Sequence, residues 1–184
     1  MDIYKNFLRM GLLMATLIVS ISCVQKSTGD TIAESKSEDE TRITLKDYGN
    51  APTVVDIEAY TIGNDNFRTT LWTGTNLQVT LMTIPAGGDI GLEQHPDIDQ
   101  FLRIEQGEGR VLMGDTQDKL DFVKEVKADY AVFVPAGKWH NLVNTGNTPI
   151  KLYSIYAPVE HPHSTIHKTQ AEALEAEHVH ETGG

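Results

Sequence analysis

The chain has 184 residues, 40% of them hydrophobic, with 15 glycines and 7 prolines. That length gives one domain of ordinary size a real core and excludes two comfortable ones. The formal net charge is −11, and no basic stripe runs through the sequence. This argues against a nucleic-acid partner, since little is available to displace counterions from phosphates.

The first segment, "MDIYKNFLRMGLLMATLIVSISC", carries Lys5 and Arg9, then an apolar run from Met10 to Ile21, then small residues before Cys23. A basic start, an apolar stretch and small residues form the layout of a secretory signal, expected over residues 1–23. The apolar run falls short of the roughly 20 residues a spanning helix requires. Cys23 is the sole cysteine, so an intrachain disulfide is excluded. Its position after Ser20, Ile21 and Ser22 resembles a bacterial lipobox, although Ser20 stands where leucine is usual. The resemblance implies lipidation at Cys23 and a protein anchored to the membrane in the cell envelope, facing the periplasm or the outer surface. Residues 24–50 are polar and charged with almost no apolar periodicity, and they read as a flexible tether.

From residue 51 to about 160 the pattern changes. "TVVDIEAY", "FRTTLWTG", "NLQVTLMTI", "DQFLRIEQG", "GRVLMG", "KLDFVKEV", "YAVFVPAG" and "IKLYSIYAP" follow one another, each bounded by Gly, Pro, Asn or Asp. Short β-rich runs at even spacing predict an all-β sandwich or barrel. Alternation supports strands: Ile150, Leu152, Ser154 and Tyr156 fall on one face of the last run, Lys151, Tyr153 and Ile155 on the other. The glycines of "EQGEG" predict a hairpin reversal. "VTLMTI" is a candidate edge strand, through which two copies of the chain would pair as a homodimer if it is exposed.

Residues 161–184 form a histidine-rich tail containing His161, His163, His167, His178 and His180. Thr169 followed by Glu172 predicts a capping box and a short C-terminal helix, the only helix expected in the chain. Dispersed histidines near a terminus are usually solvated, and a second metal site there is not expected.

Two motifs make the architecture specific. "DYAVFVPAGKWHNLVN" places Pro135, Gly137, His140 and Asn144 at the spacing of the second motif of cupins, with Asp129 in place of the leading glycine. "GGDIGLEQHPDIDQFLRIEQG" matches the first motif at Gly87, His95 and Gly107. Glu93 stands at its first histidine position and Gln100 at its glutamate position. The chain thus resembles a small single-domain cupin over roughly residues 51–158. The resemblance implies a single jelly-roll β-barrel, followed here by the short C-terminal helix.

It also implies a metal site at Glu93, His95, Gln100 and His140. Most metal-binding cupins use three histidines and one glutamate, so the donor set here moves from three nitrogens and one oxygen to two and two. This harder set favours Fe(II) or Mn(II) over Zn, Ni or Cu, and two histidines with one carboxylate are the elements of the facial triad of non-haem iron. Glu93 and His95, two apart on a strand, leave the same face. Pro96 breaks the pairing, and the strand resumes at Asp99 or Gln100. A neutral amide is a weak ligand, so Gln100 either binds the metal or orients a water or His95 beside it. Leu102 and Ile104 would line the pocket below Gln100, Trp139 would wall it, and His161 and His163 would cover its mouth. Asp97 and Asp99 read as solvated turn residues.

Two functions are open at this level. One is a metal-dependent enzyme acting on a small oxygenated molecule, as a dioxygenase, isomerase or lyase, with the metal as Lewis acid or O2-activating centre. The other is a non-catalytic, envelope-tethered barrel that binds or senses a sugar or an acid. A fold carries many chemistries, so the choice has to come from the site. The catalytic residues are not identifiable from the sequence.

Overall fold

The structure, a computed structural model, describes residues 43–182. The expected signal, Cys23 and most of the tether lie outside these residues. So do the side chains from residue 177 onward, His178 and His180 among them.

Among the described residues, ten strands form two antiparallel sheets. In chain order, α1 is Ile57–Gly63, β1 Arg68–Thr73, β2 Gln78–Ile84, β3 Glu93–Gln94, β4 Asp99–Gln106 and β5 Glu108–Gly114. They are followed by β6 Phe122–Lys127, β7 Ala131–Val134, β8 Trp139–Asn144, β9 Ile150–Ala157, β10 Ile166–His167 and α2 Gln170–Thr182. One sheet runs β10-β1-β2-β9-β4-β7 and the other β3-β8-β5-β6. The chain crosses between the sheets after β2, β3, β4, β6, β7 and β8, which makes the jelly roll. Side chains from the two sheets meet in one core, with Met82, Ile84, Leu102, Ile104, Ile150 and Leu152 from the first against Val111, Met113, Val126 and Leu142 from the second. The alternation expected in β9 holds, with Ile150, Leu152, Ser154 and Tyr156 all buried.

Four expectations change. "TVVDIEAY" holds no strand: Asp56 caps a helix, its carboxylate accepting the Ala59 N–H at 3.0 Å, and α1 packs on β2, β4 and β9. Capping chemistry here overrides β propensity. Gly107 does not close a hairpin, because β4 and β5 belong to different sheets. It turns a corner at φ +90°, and a Cβ there would lie 2.8 Å from the Pro149 carbonyl oxygen. "VTLMTI" is no edge, since β2 is hydrogen-bonded to β1 on one side and β9 on the other. Finally, residues 44–50, which read as tether, are held against β1. Tyr48 N–H donates to the Leu71 carbonyl at 2.8 Å, and the Asp47 carboxylate accepts from the Gly49, Thr73 and Ser164 N–H groups and the Thr73 hydroxyl.

The C-terminal helix forms as expected. Thr169 Oγ1 accepts the Glu172 N–H at 3.2 Å, and the Glu172 carboxylate reaches one residue past the usual partner to accept from Lys168 N–H at 2.6 Å.

Candidate metal centre

The two motifs are joined through backbone. β3 pairs with β8 so that Glu93 stands opposite His140. The Gly137 N–H donates to the His95 carbonyl at 2.8 Å, and the Gln94 amide donates to the Gly137 carbonyl at 2.8 Å. The Pro135–Gly137 turn is therefore fastened to the segment that carries the first two donors. Gly137 has a φ of +79°, which explains glycine there, and Asp129 has a φ of +73°. Aspartate tolerates that left-handed region better than most residues, so the motif's one departure keeps its geometry.

Along β8 the pattern alternates, and His140, Leu142 and Asn144 point inward. The Asn144 amide donates to the carbonyls of Ile84 and Thr148, at 3.0 and 2.9 Å, so this motif residue holds the barrel together. His140 Nδ1 lies 3.0 Å from the Lys138 carbonyl. A carbonyl can only accept, so Nδ1 carries the proton and Nε2 is left as a lone-pair donor.

Glu93, His95 and His140 offer one donor atom each within 4.8 Å of one another. Glu93 Oε1 is 3.5 Å from His95 Nε2 and 3.3 Å from His140 Nε2. Neither contact meets hydrogen-bond geometry, so both nitrogens are buried without a hydrogen-bond partner. Buried polar atoms are almost always satisfied, and orphans that converge on a carboxylate mark a place for a cation. The residues present thus fit a divalent metal.

Electrostatics agree. Burial pushes the Glu93 carboxyl up, but the His140 and His95 imidazoles outweigh it and hold it well below the usual carboxylate range. Burial pushes His95 down, while Glu160 and then Glu93 raise it to about 9. Two carboxylates thus stabilise positive charge at this point. Glu160 Oε1 lies 3.2 Å from His95 Nδ1, on the side of the ring away from the cluster. No motif signals Glu160, which follows the last long strand in "YAPVEHPH".

Gln100 does face inward, 3% exposed, with Leu102 and Ile104 on the same face of β4. It sits opposite Tyr156 on β9, and Tyr156 packs edge-on against the His95 ring at 5.7 Å between centroids. Neither its amide oxygen nor its amide nitrogen has a hydrogen-bond partner. The amide therefore has donor capacity to spare.

The other expected pocket residues divide. Glu93, His95, Trp139 and His161 border a cavity of about 760 Å³, as do Arg68 and Glu160, which sequence reasoning missed. Leu102 borders a void of about 10 Å³ that His140 also lines, and Ile104 is packed in the core. His163 does not cover the mouth. Its ring is exposed, with Nε2 3.1 Å from the Gly49 carbonyl oxygen and Nδ1 2.8 Å from the Ser164 hydroxyl. Asp97 is exposed, and Asp99 accepts the Ala136 N–H at 2.9 Å, as turn residues do.

Comparison with known proteins agrees with this architecture. A family model for the cupin domain matches residues 80–156. Uncharacterized protein YrkC of Bacillus subtilis is 57% identical over 141 residues, covering 77% of this chain and 76% of that protein. An uncharacterized protein of Acanthamoeba polyphaga mimivirus is 37% identical over 114 residues, 61% of this chain and 69% of that one. The crystal structure of BH2720 from Bacillus halodurans superimposes with a TM-score of 0.71 at 59% identity, covering 71% of this chain and 99% of that one. With the jelly roll, the two linked motifs and these relatives in agreement, the chain belongs to the cupin family.

Proposed function

We propose that the protein is a metal-dependent cupin that acts on a small oxygenated molecule, with a divalent metal held by Glu93, His95 and His140. The observation that carries this reading is the convergence of three donors within 4.8 Å, two of them beside a cavity of about 760 Å³. That volume lies within the range of small-molecule sites, roughly 300–1,000 Å³. A metal there would supply Lewis-acid polarisation of a bound oxygen or, as iron, reactivity towards O2.

The chain's own residues do the rest. Glu160 fixes the orientation of His95 through Nδ1, and the Lys138 carbonyl does the same for His140, so both Nε2 atoms face inward. Gln100 serves as a fourth, neutral donor or as the partner of a water beside the metal. Three protein donors leave positions open for substrate, and two imidazoles with one carboxylate, the elements of the facial triad, favour Fe(II) or Mn(II). Trp139 and Leu92 add apolar surface to the cavity wall.

The test is oxygen uptake by Fe(II)-loaded protein against catechols, β-diketones and 2-oxo acids, beside product analysis of the Mn(II)-loaded form. Substrate-dependent oxygen loss or product formation supports an enzyme. Tight ligand binding with no turnover under either metal contradicts it and favours the binding barrel. The signal-like segment and Cys23 support a further proposal, that the barrel works in the cell envelope on a lipid anchor. Labelling by a radioactive fatty acid, lost in Cys23→Ser, tests it.

A further inference from the structure

Glu160 and His161 lie between β9 and β10, outside either strand. Ladder pairing does not set their place, so their backbone groups need other partners. Gln78 supplies them. This first residue of β2 is 0% exposed, where an amide is tolerated when its polar atoms are bonded. Its side-chain nitrogen donates to the His161 carbonyl at 2.8 Å and to the Thr73 hydroxyl at 2.9 Å, and its oxygen accepts the His161 N–H at 2.9 Å. Both donors and the acceptor are engaged, which fixes the amide in one orientation. The side chain takes the part of a strand rung, holding the N–H and the carbonyl of one residue together.

The bonds continue outward from this clasp. The Thr73 hydroxyl donates to Asp47 Oδ2 at 2.5 Å, and the same oxygen accepts the Ser164 N–H at 3.1 Å. The Thr70 N–H donates to the Thr165 carbonyl at 2.9 Å. Residues 161–165 are thus pinned to β2, to the segment before α1 and to β1. Inward, the clasp is one residue from the cluster. Glu160 precedes His161, and its Oε1 lies 3.2 Å from His95 Nδ1. The Glu160 side chain is 28% exposed, so its reach to His95 depends on where its backbone stands and less on packing around it.

We propose that Gln78 is a positioning residue for the candidate metal centre: by clasping His161 it sets Glu160 against His95 Nδ1 and so aims His95 Nε2 at Glu93 and His140. This rests on the metal reading above and adds the residue through which the barrel wall governs that ligand. A glutamine with a structural task alone stabilises the barrel and leaves metal affinity indifferent to Glu160. A positioning glutamine changes metal affinity through Glu160.

Competition titration of the full chain with Mn(II) against a metal-binding dye tests this in a double-mutant cycle. Gln78→Leu removes all three bonds of the amide. It should weaken Mn(II) binding about tenfold, the lower end of the effect of partners that orient a metal ligand. In a Glu160→Ala background the same substitution should change affinity by less than about twofold, because the contact it serves has gone. Full affinity in Gln78→Leu overturns the proposal, and so does an equal loss in both backgrounds, which a structural role alone would give. Should Gln78→Leu fail to fold, Gln78→Asn, one methylene shorter with the same polar groups, takes its place in the cycle. A chain that takes up no Mn(II) contradicts the metal reading separately. Crystals of the metal-free chain then decide: the Glu160–His95 contact should open in the Gln78 variant, and a contact that stays closed overturns the proposal.

Discussion

His95 has work on both edges of its ring, and this is where substitutions separate ligand from support. Nε2 faces Glu93, while Nδ1 faces Glu160 at 3.2 Å. Glu160→Gln keeps the shape and removes the charge, so divalent affinity should fall about 10–100-fold while the thermal midpoint of the metal-free protein stays near its original value. A competition titration against a metal-binding dye measures the first and calorimetry the second. Glu93→Ala should cost far more, since it removes the sole carboxylate of the three-donor cluster. At this scale the sequence was legible where a motif reached. Glu93, His95 and His140 stand at family positions and do converge. Glu160 and Arg68 carried no signal, because they come from a loop after β9 and from the start of β1, and only the closed barrel brings them beside the same cavity.

Asp47 ties three elements together: the segment before α1, the end of β1, and the loop around Ser164. Burial pushes its carboxyl up, but hydrogen bonds from Thr73, Ser164 and Gly49 outweigh this and hold it below its ordinary 3.8. A depressed folded-state value means its contribution is complete above the unfolded value and is lost as pH falls through the folded one. Asp47→Ala should therefore destabilise the protein at neutral pH by about 1–3 kcal/mol, and its deficit should shrink in acid. Urea unfolding at pH 7 and near pH 3 checks both. Gly107→Ala should also destabilise, by about 1–3 kcal/mol, because the corner requires a left-handed backbone and the new methyl meets the Pro149 carbonyl. These features escaped the sequence reading for a common reason. Composition marks residues 44–50 as polar linker, and "TVVDIEAY" as strand, because side-chain-to-backbone bonds leave no periodic trace. Strands such as β4, β7 and β8 alternate strongly, and they were legible for that reason.

In the whole molecule, two sheets meet in a shared apolar core, and the donors sit in a polar, cavity-bordering region on its inner side. A ligand that binds only the folded barrel must raise its stability. Mn(II) at about 100 times its dissociation constant should add about 2.7 kcal/mol, read as a higher thermal midpoint that Glu93→Ala abolishes. The fold was the most legible feature, since evenly spaced strands and two motifs at fixed separation leave few architectures. The reaction was the least, since it depends on which molecule fills the space between Arg68 and the cluster. The central claim is that this barrel holds one cation on three convergent side chains. Anomalous scattering from crystals of the Mn(II)-loaded chain tests it most directly. A cation held in this way gives a single peak about 2.0–2.2 Å from Glu93 Oε1, His95 Nε2 and His140 Nε2. A barrel that gives no peak there, with the two imidazoles bonded to Glu93 instead, would contradict it.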